Sequence, residues 1–517
     1  MHETATALEM CHSDPSARGR IRMTHFSGAT LFVYRHLTVA GSRHIIVNVM
    51  SRLVVVTNRV PAADELARLE LGSVAVGGLV SAVKSMMLRQ RGLWLGWSGR
   101  STSRGRPAAP GATHSAGPVD LVTIDLTEDE LNLYYTGFSN RTLWPLLHGF
   151  VERVSIRREL YRAYQRINRR FAETLFPMLR HDDLVWVHDY QLFLVGQYLR
   201  QAGWKGKLGH FLHVPFPAPE IFDILPWGPE ILRGLMYYDQ VGVHTADYQQ
   251  NLARALAAET DGNWDGSIFS RGRDATRIGV YPIGIDPDEF QGPSRFSAPS
   301  LSDVLSLPPG PDNKIIVGVD RLDYTKGIPL RLRAFNRMLE RHPTMRGKVT
   351  FIQISAPSRT RVPEYVKERE DVEMLVGQIN GKFSERGWAP IRYLYRFFPQ
   401  HDLARFYHDA DVGMVTPLRD GMNLIAKEFV AAQGEDPGVL VLSRFSGAAV
   451  EMVDALIVNP YDIDGTSEAL YAALRMPETE RIERWRSMMK VVNRTTAEKW
   501  GESFVADLER GTEGETE

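Results

Sequence analysis

A single cysteine, Cys11, stands among 517 residues. One thiol excludes an intrachain disulfide framework and any cysteine-built metal centre, and it suits a reducing compartment such as the cytoplasm. Long hydrophobic runs are also missing. None approaches the ~20 apolar residues that a membrane-spanning helix needs. Nor is there an excess of one charge: 61 Lys and Arg stand against 62 Asp and Glu, a net charge of −1. No global field therefore draws in nucleic acid or an anionic membrane, and any anion must be held by local groups. What remains is ordinary. A composition of 44% hydrophobic and 24% charged residues belongs to a globular protein, long enough for two or three domains with cores of their own.

Apolar, β-branched runs punctuate the chain. Leu53–Thr57, Leu184–Val187, Leu208–Val214, Val241–Val243 and Val280–Ile285 read as strands covered on both faces. Helical patterns such as Glu159–Leu179 and Gln191–Gln201 lie between them. Asp286–Asn313, rich in Pro, Ser and Asp, reads as a linker. A second strand-helix series comes after it, at Lys314–Val319, Lys348–Ile354, Ile391–Tyr395, Val412–Thr416, Val439–Leu442 and Ala455–Val458. This alternation predicts an α/β protein with two parallel-sheet domains, over 51–290 and 312–485, and ligands at the carboxyl ends of the strands. Arg59, Asp189 and His213 stand at or near such ends. Trp500, Phe504 and Leu508 recur every four residues, and the helix they mark, within 486–510, is expected to pack back on the first domain. Residues 1–49 lack the pattern of a signal peptide. They are expected to be a poorly ordered extension, with a native start at Met50.

Two segments of the second series carry the chemistry. Asp411–Glu428 (DVGMVTPLRDGMNLIAKE) reads as a strand, a loop around Asp420 and Gly421, and a helix from Met422 onward. Free N–H groups and the positive dipole end of a helix gather there, an arrangement that binds phosphate. Glu428 falls roughly 10 Å below that end at ~1.5 Å per residue, placed either to hold a ribose by its hydroxyls or simply to solubilise its helix. Lys314–Ile328 (KIIVGVDRLDYTKGI) ends its strand with Arg321 and Lys326. Two fixed cations stabilise the charge that grows on a departing diphosphate; the alternative is a salt bridge with Asp320 or Asp323. Gly77-Gly78 before a helical pattern lets backbone approach a phosphate. The aromatic stretch Leu133–Pro145 is either core or a sugar platform. No Asp-x-Asp pair stands at a strand end, since Asp462 and Asp464 lie in a later loop. A nucleotide-sugar transferase with Arg and Lys in place of a metal fits this plan.

The segments VVVTNR, GLWLGWSG, YYTGFSNRTLWP, WVHDYQL, FLHVPFPAPEIF, YPIGID, DRLDYTKGI, PLRDGMNLIAKEFVAAQ and DPGVLVLS closely resemble the trehalose-6-phosphate synthases, retaining glycosyltransferases of family 20 with the GT-B fold. The resemblance runs from about Met50 to about Leu508. It implies transfer of glucose from UDP-glucose or GDP-glucose to glucose 6-phosphate, with no cofactor, no metal, no nucleic acid and no membrane. It leaves room for a homo-oligomer, dimer or tetramer. By motif, Arg321 and Lys326 match the pair on the donor diphosphate. Asp420 matches the acid on the donor sugar, with Gly421, Met422, Asn423 and Leu424 beside it. Glu428 matches the ribose acid, His213 the histidine near the donor 6-hydroxyl, and Gly78 the glycine loop over the donor. Arg59, Tyr135, Trp144 and Arg359 match the group on the acceptor phosphate, and Trp97 and Asp189 line the acceptor sugar. Gln191 stands where many members have His, and Ala257–Thr276 does not align. Two rivals, a pseudo-glycosyltransferase joining cyclitols and a non-catalytic sugar-phosphate sensor, both predict eroded motifs; here YYTGFSN, LDYTKG and PLRDGMN are whole.

Overall fold

The computed structural model describes residues 51–61, 83, 86–87, 92–102, 112–116, 119–272, 274–292, 297–305, 313–360 and 362–511. The expected extension over 1–49, the start at Met50 and the Gly77-Gly78 pair lie outside the described residues.

The first sheet is built from β1 (Leu53–Arg59), β2 (Leu93–Thr102), β3 (Ala112–Ala116), β4 (Val119–Thr127), β5 (Leu184–His188), β6 (Lys207–Phe211), β7 (Gln240–Val243), β8 (Asn263–Trp264), β9 (Ile268–Arg271) and β10 (Asp274–Val280). Their order is β3-β4-β2-β1-β5-β6-β7-β10-β9-β8. The strands from β4 to β10 in that order run parallel, while β3 at one edge and β9 and β8 at the other are antiparallel. The second sheet holds β11 (Lys314–Arg321), β12 (Val349–Ala356), β13 (Ile391–Leu394), β14 (Val412–Val415), β15 (Val439–Ser443) and β16 (Leu456–Val458), all parallel, in the order β13-β12-β11-β14-β15-β16. Both are covered on both faces, as the continuous apolar runs require: Leu53 to Val56 and Val439 to Leu442 are buried without alternation.

Five helices bear on the site: α1 (Arg158–Leu175), α2 (Ala246–Glu259), α3 (Ile328–Arg341), α4 (Leu424–Ala432) and α5 (Ala497–Arg510). In α5, Trp500, Phe504 and Leu508 are buried. Phe504 stacks on Trp186 of β5 at 4.4 Å. Glycines on the sheet make room for it: a Cβ on Gly209 would stand 2.7 Å from the Phe504 ring, and one on Gly242 2.8 Å. The Gln240 amide donates to the Phe504 carbonyl at 2.9 Å, and the Tyr281 hydroxyl to Asp507 at 2.7 Å. The end of the chain thus covers the first sheet.

Three expectations change. The strand expected over Val280–Ile285 lies earlier, at Asp274–Val280; Pro282 has no N–H to give a ladder, and a Cβ on Gly284 would stand 1.6 Å from the Thr495 carbonyl oxygen. The unalignable stretch Ala257–Thr276 supplies the end of α2 and the edge strands β8 and β9. The aromatic stretch forms a π-helix over Leu131–Leu143, with Trp144 and Pro145 opening the short α-helical turn after it. Tyr134 and Phe138 are core, Phe138 lying 4.7 Å from Tyr164 of α1. Trp144 is buried in the same core, and Tyr135, half-buried, packs against it.

Replacing Phe504 by Ala is expected to cost about 3–5 kcal/mol. Equilibrium denaturation measures it, and a loss under about 1 kcal/mol would show that α5 does not hold the first sheet.

Candidate active site

Three non-glycine residues among those described adopt positive φ: Asp189 at 71°, Arg359 at 46° and Asn423 at 69°. Each such residue costs on the order of 1–3 kcal/mol and persists only where its surroundings over-determine it. All three are among the predicted site residues, and all lie where the carboxyl ends of the two sheets meet.

On the second sheet, β11 delivers Asp320, Arg321, Asp323 and Lys326 in quick succession. The two acids are taken by other cations. Asp320 accepts from the fully buried guanidinium of Arg331 on α3 at 2.5 Å, and Arg331 also reaches Thr416 at 2.9 Å and Gln353 at 3.0 Å. Asp323 accepts from Arg359 at 3.0 Å and from the Tyr365 hydroxyl at 3.0 Å. The alternative salt bridge of Arg321 or Lys326 with Asp320 or Asp323 is therefore absent among the described residues. Arg321 is exposed, 5.8 Å from the Trp144 ring. Lys326 instead pairs with Asp420, which also accepts from the Asn423 amide at 3.0 Å. Burial pushes the Asp420 carboxyl up, but Lys326, with His148 and Arg321, brings the group below its ordinary value.

The helix after this loop starts later than its residues suggest. Met422 and Asn423 precede α4, because Asn423 in the left-handed region interrupts helical geometry at that point. Glu428 is consequently the fifth residue of α4, roughly 6 Å from its start at ~1.5 Å per residue rather than roughly 10 Å. It is half-buried, and its only hydrogen-bond partner among the described residues is the Tyr407 hydroxyl at 3.1 Å. Burial pushes it up to about 7. A desolvated carboxylate with spare oxygens is suited to accepting hydroxyls. Leu424, at the head of α4, is half-buried.

On the first sheet, Asp189 follows β5 and accepts from the His213 amide at 3.2 Å. Burial raises its carboxyl to about 6 against the pull of Arg321 and Arg359. His213 follows β6 and shares a hydrogen bond with His188 at 3.1 Å between ring nitrogens. Its ring lies 5.7 Å from Trp500; burial, then His188 and His244, hold it well below the usual imidazole range. The Arg359 guanidinium spans the halves, 4.1 Å from the Trp144 ring and 3.3 Å from the Tyr190 hydroxyl. Trp97 and Tyr135 sit 6.0 Å apart. Arg59 is exposed and lies against Gly99 on β2, with Trp97 as its strand partner. Gly78 falls outside the described residues.

The halves come close together at Gly421. A Cβ there would stand 2.0 Å from the His213 carbonyl oxygen. Arg141 bonds Glu364 across the same divide at 2.9 Å.

Sequence reasoning misses the supporting residues Arg331, Tyr365, Tyr190 and Tyr407. Arg331 looks like one more charge on an amphipathic helix. Tyr190 adjoins the predicted Asp189, and that adjacency is the one signal available. Asp462 and Asp464 prove structural: Asp462 caps a helix through the Gly465 amide at 2.8 Å, and Asp464 pairs with Arg337 at 2.6 Å.

Two parallel sheets meeting at their carboxyl ends around a cation cluster define a GT-B enzyme of the nucleotide-sugar type. The chain matches Glycosyltransferase family 20 over residues 47–510 and belongs to that family. It is 42% identical over 464 residues to a trehalose-6-phosphate synthase of Sinorhizobium fredii, covering 89% of this chain and 98% of that one. Among solved structures, it resembles a UDP-forming α,α-trehalose-phosphate synthase of Burkholderia xenovorans in complex with glucose-6-phosphate (TM-score 0.81, 40% identity, 89% of this chain and 100% of that one). It also resembles a trehalose-6-phosphate protein from E. coli bound with UDP-2-fluoro glucose (TM-score 0.82, 38% identity, 89% and 99%).

This geometry sets two measurable outcomes. Gly421→Ala must part the halves by roughly 1 Å, and a displacement of that size costs about a hundredfold in turnover; steady-state kinetics near wild type would contradict the contact. Glu428 holds its proton more tightly when folded, at about 7, than at its usual 4.5. Its contribution to stability is present below pH 4.5 and is lost as pH rises through about 7. Glu428→Gln should flatten that part of the stability profile in ligand-free denaturation measured across pH.

Proposed function

We propose that the protein is a retaining glucosyltransferase that moves glucose from a nucleoside diphosphate glucose to glucose 6-phosphate, releasing α,α-trehalose 6-phosphate and the nucleoside diphosphate. The observation that carries this reading is the exposed Arg321, without an acidic partner among the described residues, beside the Lys326–Asp420 pair and facing the Arg359–Trp144 stack at 4.1 Å. Two phosphorylated substrates need two positive centres, and these are two. The relatives' substrates favour UDP-glucose over GDP-glucose as donor. Function in the cytoplasm agrees with the absence, among the described residues, of a helix long and apolar enough to cross a membrane.

In this reading the second half holds the donor. Arg321 and Lys326 take the diphosphate, Asp420 and the backbone from Gly421 to Leu424 hold the glucose, and Glu428 accepts the ribose hydroxyls. By its motif, Gly78 is assigned to the donor. Arg359, Arg59, Tyr135 and Trp144 hold the acceptor phosphate, and Trp97 and Asp189 the acceptor ring. His213 lies near the donor 6-hydroxyl. The acceptor's anomeric hydroxyl attacks the donor C1 from the side the diphosphate leaves. The C1–O bond to phosphate breaks, its electron pair stays on the diphosphate, and a diphosphate oxygen takes the acceptor's proton. The protein's share is positioning and the stabilisation of charge on the leaving group.

The test is transfer from UDP-glucose and GDP-glucose to glucose 6-phosphate, followed by nucleotide release and product mass. Arg321→Ala should lower kcat about a hundredfold or more and leave the KM for glucose 6-phosphate within about threefold. Arg59→Ala should instead raise that KM by about tenfold to a hundredfold, the loss of a charge-assisted contact worth roughly 1.5–3 kcal/mol. Wild-type protein that transfers to no sugar phosphate, or Arg321→Ala with normal kcat, would defeat the proposal.

A further inference from the structure

β7 ends at Val243, and Thr245 caps the helix after it, its hydroxyl accepting from the Tyr248 amide at 3.3 Å. The cap fixes Tyr248 in the first turn of α2, at the carboxyl edge of the first sheet. Its ring is buried, and its hydroxyl crosses to the other half and donates to the main-chain carbonyl of Asp420 at 3.0 Å. The Arg419 guanidinium lies 5.7 Å from the same ring. Asp420 is the residue whose side chain pairs with Lys326.

A carbonyl oxygen has two acceptor sites. One on Asp420 is filled by the Gly447 N–H at 3.3 Å, and the Asp420 N–H donates to the Phe445 carbonyl at 3.1 Å. Phe445 and Gly447 belong to the second half and hold Asp420 from its own side. Tyr248 belongs to the first half and fills the remaining acceptor site from across the cleft. The neighbouring peptide is pressed from the same side, where Gly421 abuts the His213 carbonyl. The hydroxyl therefore ties the first half to the residue whose side chain pairs with Lys326. A buried phenol with no bond to Asp420 would lose its acceptor and bear a desolvation cost, so the contact also favours this juxtaposition of the halves.

We propose that Tyr248 is a positioning residue by which the first half sets the alignment of Asp420, a role that rests on the transferase reading above. Tyr248→Phe keeps the ring and its packing and removes the hydroxyl alone. The expected result is a fall in kcat of about tenfold, the size of one hydrogen bond. The KM for glucose 6-phosphate, the dissociation constant for UDP and the ligand-free thermal midpoint should each stay close to wild type. Amide hydrogen exchange over 420–423, measured with UDP bound, should rise about tenfold in the variant, and this readout does not depend on turnover. A kcat within twofold of wild type with unchanged exchange overturns the proposal. So does a parallel loss of stability, UDP binding and turnover, which marks a merely structural tyrosine. Wild-type protein without transfer activity defeats the transferase reading, while the exchange comparison still decides whether Tyr248 holds the Asp420 loop.

Discussion

The arrangement depends on where the charges beneath the β11 loop are neutralised. Four ionic side chains, Asp320, Arg321, Asp323 and Lys326, emerge within seven positions, and left to themselves they would pair with one another. Arg331 prevents this from below. Its buried guanidinium takes Asp320 at 2.5 Å and ties it to Thr416 at the foot of the Asp420 loop. Arg359 takes Asp323 from the side. Breaking a buried pair of this kind costs roughly 3–5 kcal/mol because the remaining charge is left uncompensated. The pairs thus keep the acids off Arg321, whose charge stays available to a ligand. Asp320 shows the strain of the arrangement: burial raises its carboxyl above the ordinary value despite Arg331, and one of its oxygens has no hydrogen-bond partner.

The strained backbone arises from the same network. Arg359 holds its positive φ while its guanidinium is fixed by Asp323, Tyr365, Tyr190 and the Trp144 ring. Asp189 holds its own while two backbone amides, those of Tyr190 and His213, bond its carboxylate. Asn423 is held by its bond to Asp420. Each strained residue is thus over-determined by contacts that also set a charged or polar group in the cleft, which is preorganisation in a concrete form.

The sequence made most of the parallel strands legible because both faces are buried and the apolar runs are unbroken; β4 stayed hidden, since Asp120, Thr123, Asp125 and Thr127 interrupt its apolar residues. The edge strands β8 and β9 stayed hidden because Asn263, Trp264 and Ser270 sit on a partly solvated edge and carry no run to read. The cations Arg321 and Lys326 stood out by their place at a strand end. The buried cation Arg331 did not, because nothing in a helical pattern distinguishes a guanidinium turned inward from one turned to water. The π-helix was hidden as well, since its residues are those of any aromatic α-helix and only the hydrogen-bond register differs. Asn423 is the instructive error. Good helix formers around it suggested an earlier start to α4, but a single left-handed residue overrides propensity, and Glu428 moves closer to the loop.

That shift has a consequence for how the halves cooperate. With α4 starting at Leu424, the segment Asp420–Asn423 lies outside the helix and must be held by other groups. Lys326, Phe445 and Gly447 hold it from its own half. His213 and Tyr248 hold it from the other. A helix beginning at Met422 would have fixed the loop within one half and made the first sheet irrelevant to its geometry. Because the loop is instead shared, the carboxylate of Asp420 is placed by contacts that come from both carboxyl edges.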